Sequence, residues 1–260
     1  MVNAQTWLDS NYPLEERANV RKLLICNDIY REHEVFQNEI ANQFDSATTH
    51  YLTTSESLTG TLEISSFPQL EKVMIKKQFI SKLTFANCRN LEDIYAEDNL
   101  LREIVLPNNV RKLDVISLVN NNFFAQDLSC FSRFTNLRFL HLGTNNSWRI
   151  INGVYNRWNG SLVHLQNLDK LMELDINSTD VDSGLEFLPT EELFYFTCGD
   201  MERVNAGVSN IKQLCRFSEE EAISNDLYVN LVKVGRINQI QYELQNQIEV
   251  QTNRRVHFRN

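Results

Sequence analysis

The chain has 260 residues, 42% of them hydrophobic and 23% charged, which is the composition of a globular chain with ample material for a core. Its net charge of -9 argues against nucleic acid or an anionic membrane surface as the main partner, since both repel negative charge. No charged-then-apolar N-terminal segment and no 18-residue apolar run occurs, so neither a signal peptide nor a membrane span is expected.

Residues 3–19 precede the first strand-like motif. Trp7 and Leu8 are apolar, and Pro13 followed by Leu14, Glu15, Glu16 and Arg17 suits a helix start. A stacked array exposes an apolar end that needs covering, so residues 1–19 are read as an N-terminal cap, with a docking peptide as the alternative.

A nine-residue pattern then recurs. It is clearest at 137–145 (LRFLHLGTN), which reads L-x-x-L-x-L-x-x-N, the strand-and-turn half of a leucine-rich repeat. Leu140 and Leu142 alternate with His141, so two apolar side chains point inward and one polar side chain outward. Asn145 closes the motif, where its amide can satisfy backbone groups that the bend leaves unpaired. The same frame fits 20–28 (VRKLLICND), 70–78 (LEKVMIKKQ), 91–99 (LEDIYAEDN), 110–118 (VRKLDVISL), 171–179 (LMELDINST) and 193–201 (LFYFTCGDM). The starts at 70, 91 and 110 lie 21 and 19 residues apart, and 171 to 193 is another 22. The longer steps imply insertions near 29–57 and 146–158. The expected fold is therefore α/β, a leucine-rich-repeat solenoid over 20–217 with its parallel strand ladder on the concave face.

In the first insertion Phe36, Ile40 and Phe44 recur at four-residue spacing, which predicts an amphipathic helix, and the polar run 45–57 reads as a loop. Leu62, Ile64, Phe67, Ile80, Leu83 and Phe85 fill the returning sides of the next turns. Phe123, Phe124, Phe131 and Phe134 belong to a longer convex segment with a short helix. The second insertion carries Trp148 and Trp158.

Residues 218–260 form a C-terminal helix and basic tail. Ser218 with Glu221 is a capping-box signature, and Leu227, Leu231, Val234, Ile237, Ile240, Leu244 and Ile248 step by threes and fours. This stripe fits two arrangements, a coiled coil that makes a homodimer through 218–252 or a lid on the last turn of the solenoid. The tail arginines Arg254, Arg255 and Arg259 are too few for a nucleic-acid arm.

The segments NGSL at 159–162 and LDINSTDVDSGLEFLP at 174–189, with the opening NAQTWLDSNYPLEER at 3–17, resemble the large leucine-rich-repeat family of arbuscular mycorrhizal fungi. The glutamine-rich stretch near the end is similar to that family's tail. The resemblance implies a repeat scaffold with no catalytic residues to carry over. Gln78, Leu118 and Met201 depart from the asparagine expected at the turn.

Chemistry is not signalled. There is no nucleotide loop, zinc pattern or nucleophile motif, and His33-Glu34 lacks a zinc protease's second histidine, so no enzyme activity, cofactor or metal is expected. Five cysteines, an odd number without a CxxC pair, suit reduced thiols in a cytoplasmic protein. What remains is surface. The middle outward positions run Leu24, Met74, Tyr95, Asp114, His141, Asp175, Thr197, a ladder of roughly 30 Å at about 4.8 Å per strand. The candidate partner-binding residues are Met74, Tyr95, Asp114, Phe139, His141, Asp175, Phe194 and Tyr195, and the expected partner is a protein or peptide. Lys72, Lys76 and Lys77 on one strand beside Glu92, Asp93, Glu97 and Asp98 on the next read as structural cross-strand pairs instead.

Overall fold

The structure, a computed structural model, describes residues 1–27, 49–54, 56–108, 110–201, 203, 205–215, 237, 238, 240–242 and 244. In chain order its elements begin with β1 (Val2–Asn3), α1 (Ala4–Asn11), β2 (Lys22–Asn27), β3 (Thr49–Thr54) and β4 (Leu58–Ser65). Next come β5 (Lys72–Ile75), β6 (Phe79–Ala86), β7 (Asp93–Tyr95), β8 (Glu103–Val105) and β9 (Val115–Ser117). β10 (Phe139–His141), α2 (Ser147–Ile151), β11 (Asn159–Ser161), β12 (Glu173–Asp175), β13 (Asp180–Ser183), β14 (Tyr195–Thr197) and α3 (Val208–Cys215) follow. The result is an α/β fold of parallel sheets with few helices.

Alternating apolar residues at period two make strands, and a strand with one apolar face needs neighbours to cover it. Eight strands stack in the order β14-β12-β10-β9-β7-β5-β2-β3, every pair parallel. The register aligns Leu23, Val73, Ile94, Ile116, Leu140, Leu174 and Phe196, all fully buried in one continuous core. A second parallel sheet, β1-β4-β6-β8, contributes Leu62, Ile64, Leu83 and Phe85 to the same core. The returning sides are thus strands over the first turns. Further along they shorten to 3-10 turns at Ser129–Phe131, Leu162–Leu165 and Leu185–Phe187.

The register moves one motif. Ile116, not Leu113, pairs with Ile94 and Leu140, so the frame starts at Leu113 and runs Leu113, Ile116, Leu118, Asn121. Val110 and Leu113 also fit the first two positions, and only the turn separates the frames. At the eighth position Lys77, Asp98, Asn120 and Ser178 share a left-handed backbone, with φ of 56°, 56°, 56° and 57°. In the earlier frame that place falls on Ser117, a strand residue. Leu118 is consequently a core leucine and no departure from the turn pattern. The starts at 70, 91 and 113 are then 21 and 22 residues apart.

The ninth position carries the amides. Asn99 Nδ2 donates to the carbonyls of Ile75 (2.8 Å), Ala96 (3.3 Å) and Glu97 (3.1 Å). Asn121 Nδ2 repeats this one strand on, to Ala96, Leu118 and Val119, while its Oδ1 accepts from the Leu101 N–H. The next residue in the series is Asn156 and not Asn145. Its Nδ2 donates to Leu118, Leu142 and Gly143, and its Oδ1 accepts from Phe123 N–H. Residues 145–155 are therefore the second insertion, looped out between Thr144 and Asn156, in place of 146–158. Thr179 closes the following turn through its hydroxyl to the Ile176 carbonyl at 2.7 Å.

Other expectations change as well. Trp158 belongs to the core, 0% exposed against Phe123 (4.8 Å) and Phe131 (5.2 Å). The run 45–57 holds β3, which lies on the outer edge of β2, and not a loop alone. The expected helix of Phe36, Ile40 and Phe44 lies outside the described residues. At the N-terminus the helix is α1, capped by Asn3 Oδ1, whereas Pro13 opens a 3-10 turn, Leu14–Asn19. Ala4, Leu8 and Tyr12 are buried in the core, and Arg17 reaches from that turn to Asp9 at 2.6 Å beneath the Tyr12–Phe67 stack. Among the described residues no helix is long and apolar enough to cross a membrane.

Candidate functional site

Among the described residues no helix covers one face of the eight-stranded sheet, and side chains at the third, fifth and seventh positions point onto it. With the corrected frame the middle row runs Leu24, Met74, Tyr95, Ser117, His141, Asp175, Thr197. Asp114 drops out of it. It sits three residues before Ser117, just ahead of β9, paired with Arg138. Met74 lies between Leu24 and Tyr95 in the row and is 0% exposed, so it offers no surface. The neighbouring row brings Phe139, Glu173 and Tyr195 into line. Phe139 is half-buried beneath the Arg138 guanidinium, 5.3 Å from its ring centroid. Phe194 is 55% exposed at the sheet's margin.

These rows enclose a cleft of about 400 Å³ lined from β5 to β14, Lys76 and Glu97 at one end and Tyr195 at the other. Its floor is a chain of side-chain hydrogen bonds running across the strands. Asn120 Nδ2 donates to Asp98 Oδ1 (3.0 Å), and Asn120 Oδ1 accepts from Asn145 N–H (2.8 Å). Asn145 Nδ2 donates to Asp175 Oδ2 (3.1 Å), and Asn145 Oδ1 accepts from Asn177 Nδ2 (3.1 Å). Asp175 Oδ1 accepts from the Asn177 N–H at 2.8 Å and the Thr197 hydroxyl at 3.1 Å. Asp175 is consequently buried beneath the groups that bind it and supplies negative potential, not contact area. Asn145, displaced from the turn series, is the residue that joins the two halves of this network. Sequence reasoning placed it at the strand end and missed that role, along with Asn120 and Asn177.

Gly143 makes room for the arrangement, because a Cβ there would meet Asp175 Oδ1 and lie 2.9 Å from Asn177 N. His141 Nε2 lies 3.0 Å from Glu173 Oε2 on the adjacent strand. The Tyr195 hydroxyl is raised above its ordinary pKa by burial first and then by the Asp175 and Glu173 carboxylates, so it stays a protonated hydrogen-bond donor. Lys76 Nζ pairs with Glu97 Oε2 at 3.5 Å, and Lys72 pairs with Asp93, as cross-strand structural pairs. Among the described residues no three His, Cys, Asp or Glu side chains gather as a metal site.

The insertion 145–155 stands at the cleft's rim. Asn146 Oδ1 caps α2 by accepting from the Arg149 N–H, and Arg149 Nη1 donates to the Asn99 carbonyl at 2.8 Å. That pins the helix beside Asp98. Trp148 (71% exposed) and Ile151 (82% exposed) face away from the core. No protein-family model matches the sequence, and no curated protein matches it.

Proposed function

We propose that the chain is a leucine-rich-repeat scaffold, of the kind found in the fungal family it resembles, and that it holds a protein or peptide partner on the open face of its eight-stranded sheet without catalysing a reaction. The amide series Asn99, Asn121 and Asn156, with the left-handed residues Asp98 and Asn120 before the first two, supports the repeat reading, because each closes a turn of one strand against its neighbour. The observation that carries the binding reading is the cleft between Lys76 and Tyr195. Its polar side chains are already fixed by one another, so a partner meets a pre-organised surface and little ordering cost remains. A cytoplasmic location accords with five free thiols.

The test is capture by the immobilised full chain, compared with a His141→Ala, Tyr195→Ala double variant. Loss of a captured protein with unchanged melting supports the cleft, and undiminished capture removes it. The second reading, self-association through the C-terminal stripe, has less support. Ile237 and Ile240, two members of that stripe, are buried in this chain's own core.

A further inference from the structure

A second candidate site lies away from the open face, at the loops that lead into β7, β9 and β10. Two adjoining clefts of about 300 and 420 Å³ share Asn108 and Val110. Arg89 lines the first, Arg111 and Arg133 the second, and no carboxylate lines either. In a chain of net charge -9, three cations without an anion need an account.

The arginines recur every 22 residues, at 89, 111 and 133. Arg89 and Arg111 each stand four residues before neighbouring strands, β7 and β9, which lie about 4.8 Å apart, and Arg133 stands six residues before the next strand, β10, and joins Arg111 in the second cleft. Among the described residues neither Arg89 nor Arg111 has an ion-pair or side-chain hydrogen-bond partner. Glu92, the acidic neighbour by sequence motif, is held by Lys112 at 3.8 Å. Arg133 is fixed by neutral groups alone. Its Nη1 donates to Asn108 Oδ1 (3.1 Å) and its Nη2 to the Leu106 and Pro107 carbonyls (3.1 and 3.3 Å). Its charge is therefore positioned but not neutralised.

We infer that these clefts bind an acidic segment of a partner protein, its carboxylates taken in turn by Arg133, Arg111 and Arg89. Arginine forks suit carboxylates, and an extended chain places successive side chains on one side at about 6–7 Å, a step that flexible arginines on a 4.8 Å ladder can meet. The clefts are separate from the open-face cleft, so this inference stands whether or not that cleft binds anything.

The test uses the full chain and a fluorescein-labelled peptide of six glutamates, with a six-glutamine peptide as the neutral control. Among the described residues Arg89 and Arg111 hold no side-chain partner, so the Arg89→Gln, Arg111→Gln double variant should melt as the parent does. Saturable binding of the glutamate peptide is expected, falling roughly tenfold for each arginine removed and weakening as salt is raised. Arg133→Gln is not used, because it would also disturb the loop it braces. No binding, equal binding by the double variant, or equal binding of the glutamine peptide would overturn the inference. So would full displacement by inorganic phosphate at the peptide's own concentration, which would assign the clefts to a small anion.

Discussion

The side chain of Asn156 donates to the carbonyl of Leu142 at 2.8 Å, closing a turn that begins fourteen residues earlier in sequence. Asn145, three residues after Leu142, has the expected place in the motif yet faces the open-face cleft. The two asparagines have exchanged duties across an inserted loop. Asn156 is fully buried and serves three carbonyls, so Asn156→Ala should leave buried acceptors unpaired and cost about 1–3 kcal/mol or more. Asn145→Ala removes single bonds to Asp175 and Asn177 at the open cleft, where water can replace them, so it should cost less than Asn156→Ala and reduce capture instead. Denaturant titration of both variants checks the assignment, and a larger loss for Asn145→Ala would reverse it.

Why the sequence shows the strands but not this exchange follows from what each feature depends on. Strand identity rests on local alternation, which Leu140-His141-Leu142 displays without any knowledge of the fold. Frame is weaker, since Val110, Leu113, Val115, Ile116 and Leu118 satisfy two overlapping apolar patterns, and only Asn121 at the turn discriminates. The closure by Asn156 depends on contacts across an insertion, and no local pattern encodes that. Burial of Met74 and Asp175 likewise depends on neighbours in other strands. The arginine spacing at 89, 111 and 133 was visible as a period, but its meaning needed the clefts.

The core assignment predicts a contrast at adjacent positions. Leu140 is fully buried, so Leu140→Ala should cost about 2–5 kcal/mol. His141 points onto the open face and loses only a partly exposed pairing with Glu173, which should cost at most about 1 kcal/mol. Similar midpoint shifts for the two variants would contradict the strand's orientation.

The tryptophans should separate spectroscopically. Trp158 sits between Phe123 and Phe131, so Trp158→Phe should remove blue-shifted emission that iodide does not quench, and Trp158→Ala should cost about 3–5 kcal/mol. Trp148→Phe should remove a quenchable, red-shifted component with stability changed by no more than about 0.5 kcal/mol. Iodide quenching that falls in the first variant would place the wrong tryptophan at the surface.

Two thiols set an alkaline limit. Burial pushes Cys88 and Cys130 up to about 12, so both stay protonated in the fold. In the unfolded chain they ionise near the ordinary 9.0. Their contribution to stability is intact below that value and is lost as pH rises from there towards about 12. The denaturation midpoint should therefore drop across this window, and the Cys88→Ala, Cys130→Ala double variant should show a shallower fall. Native-state alkylation of both thiols should be slow at pH 8, and rapid modification would oppose the burial.

The last relationship concerns the C-terminal stripe. Gln241 Nε2 donates to the carbonyls of Leu185 (2.9 Å), which opens the 3-10 turn Leu185–Phe187, and Leu188 (2.8 Å), which follows it. Ile237 and Ile240 are buried beside that turn, with Leu244 partly so. Among the described residues, these members of the stripe pack within their own chain. Ile240→Asp should then lower the melting temperature, because it puts a charge into the core, while the full chain scatters light as a monomer at every concentration tested. A coiled-coil dimer predicts the opposite pair of results. The parent's mass would rise with concentration, and Ile240→Asp would yield a monomer whose strands melt as before.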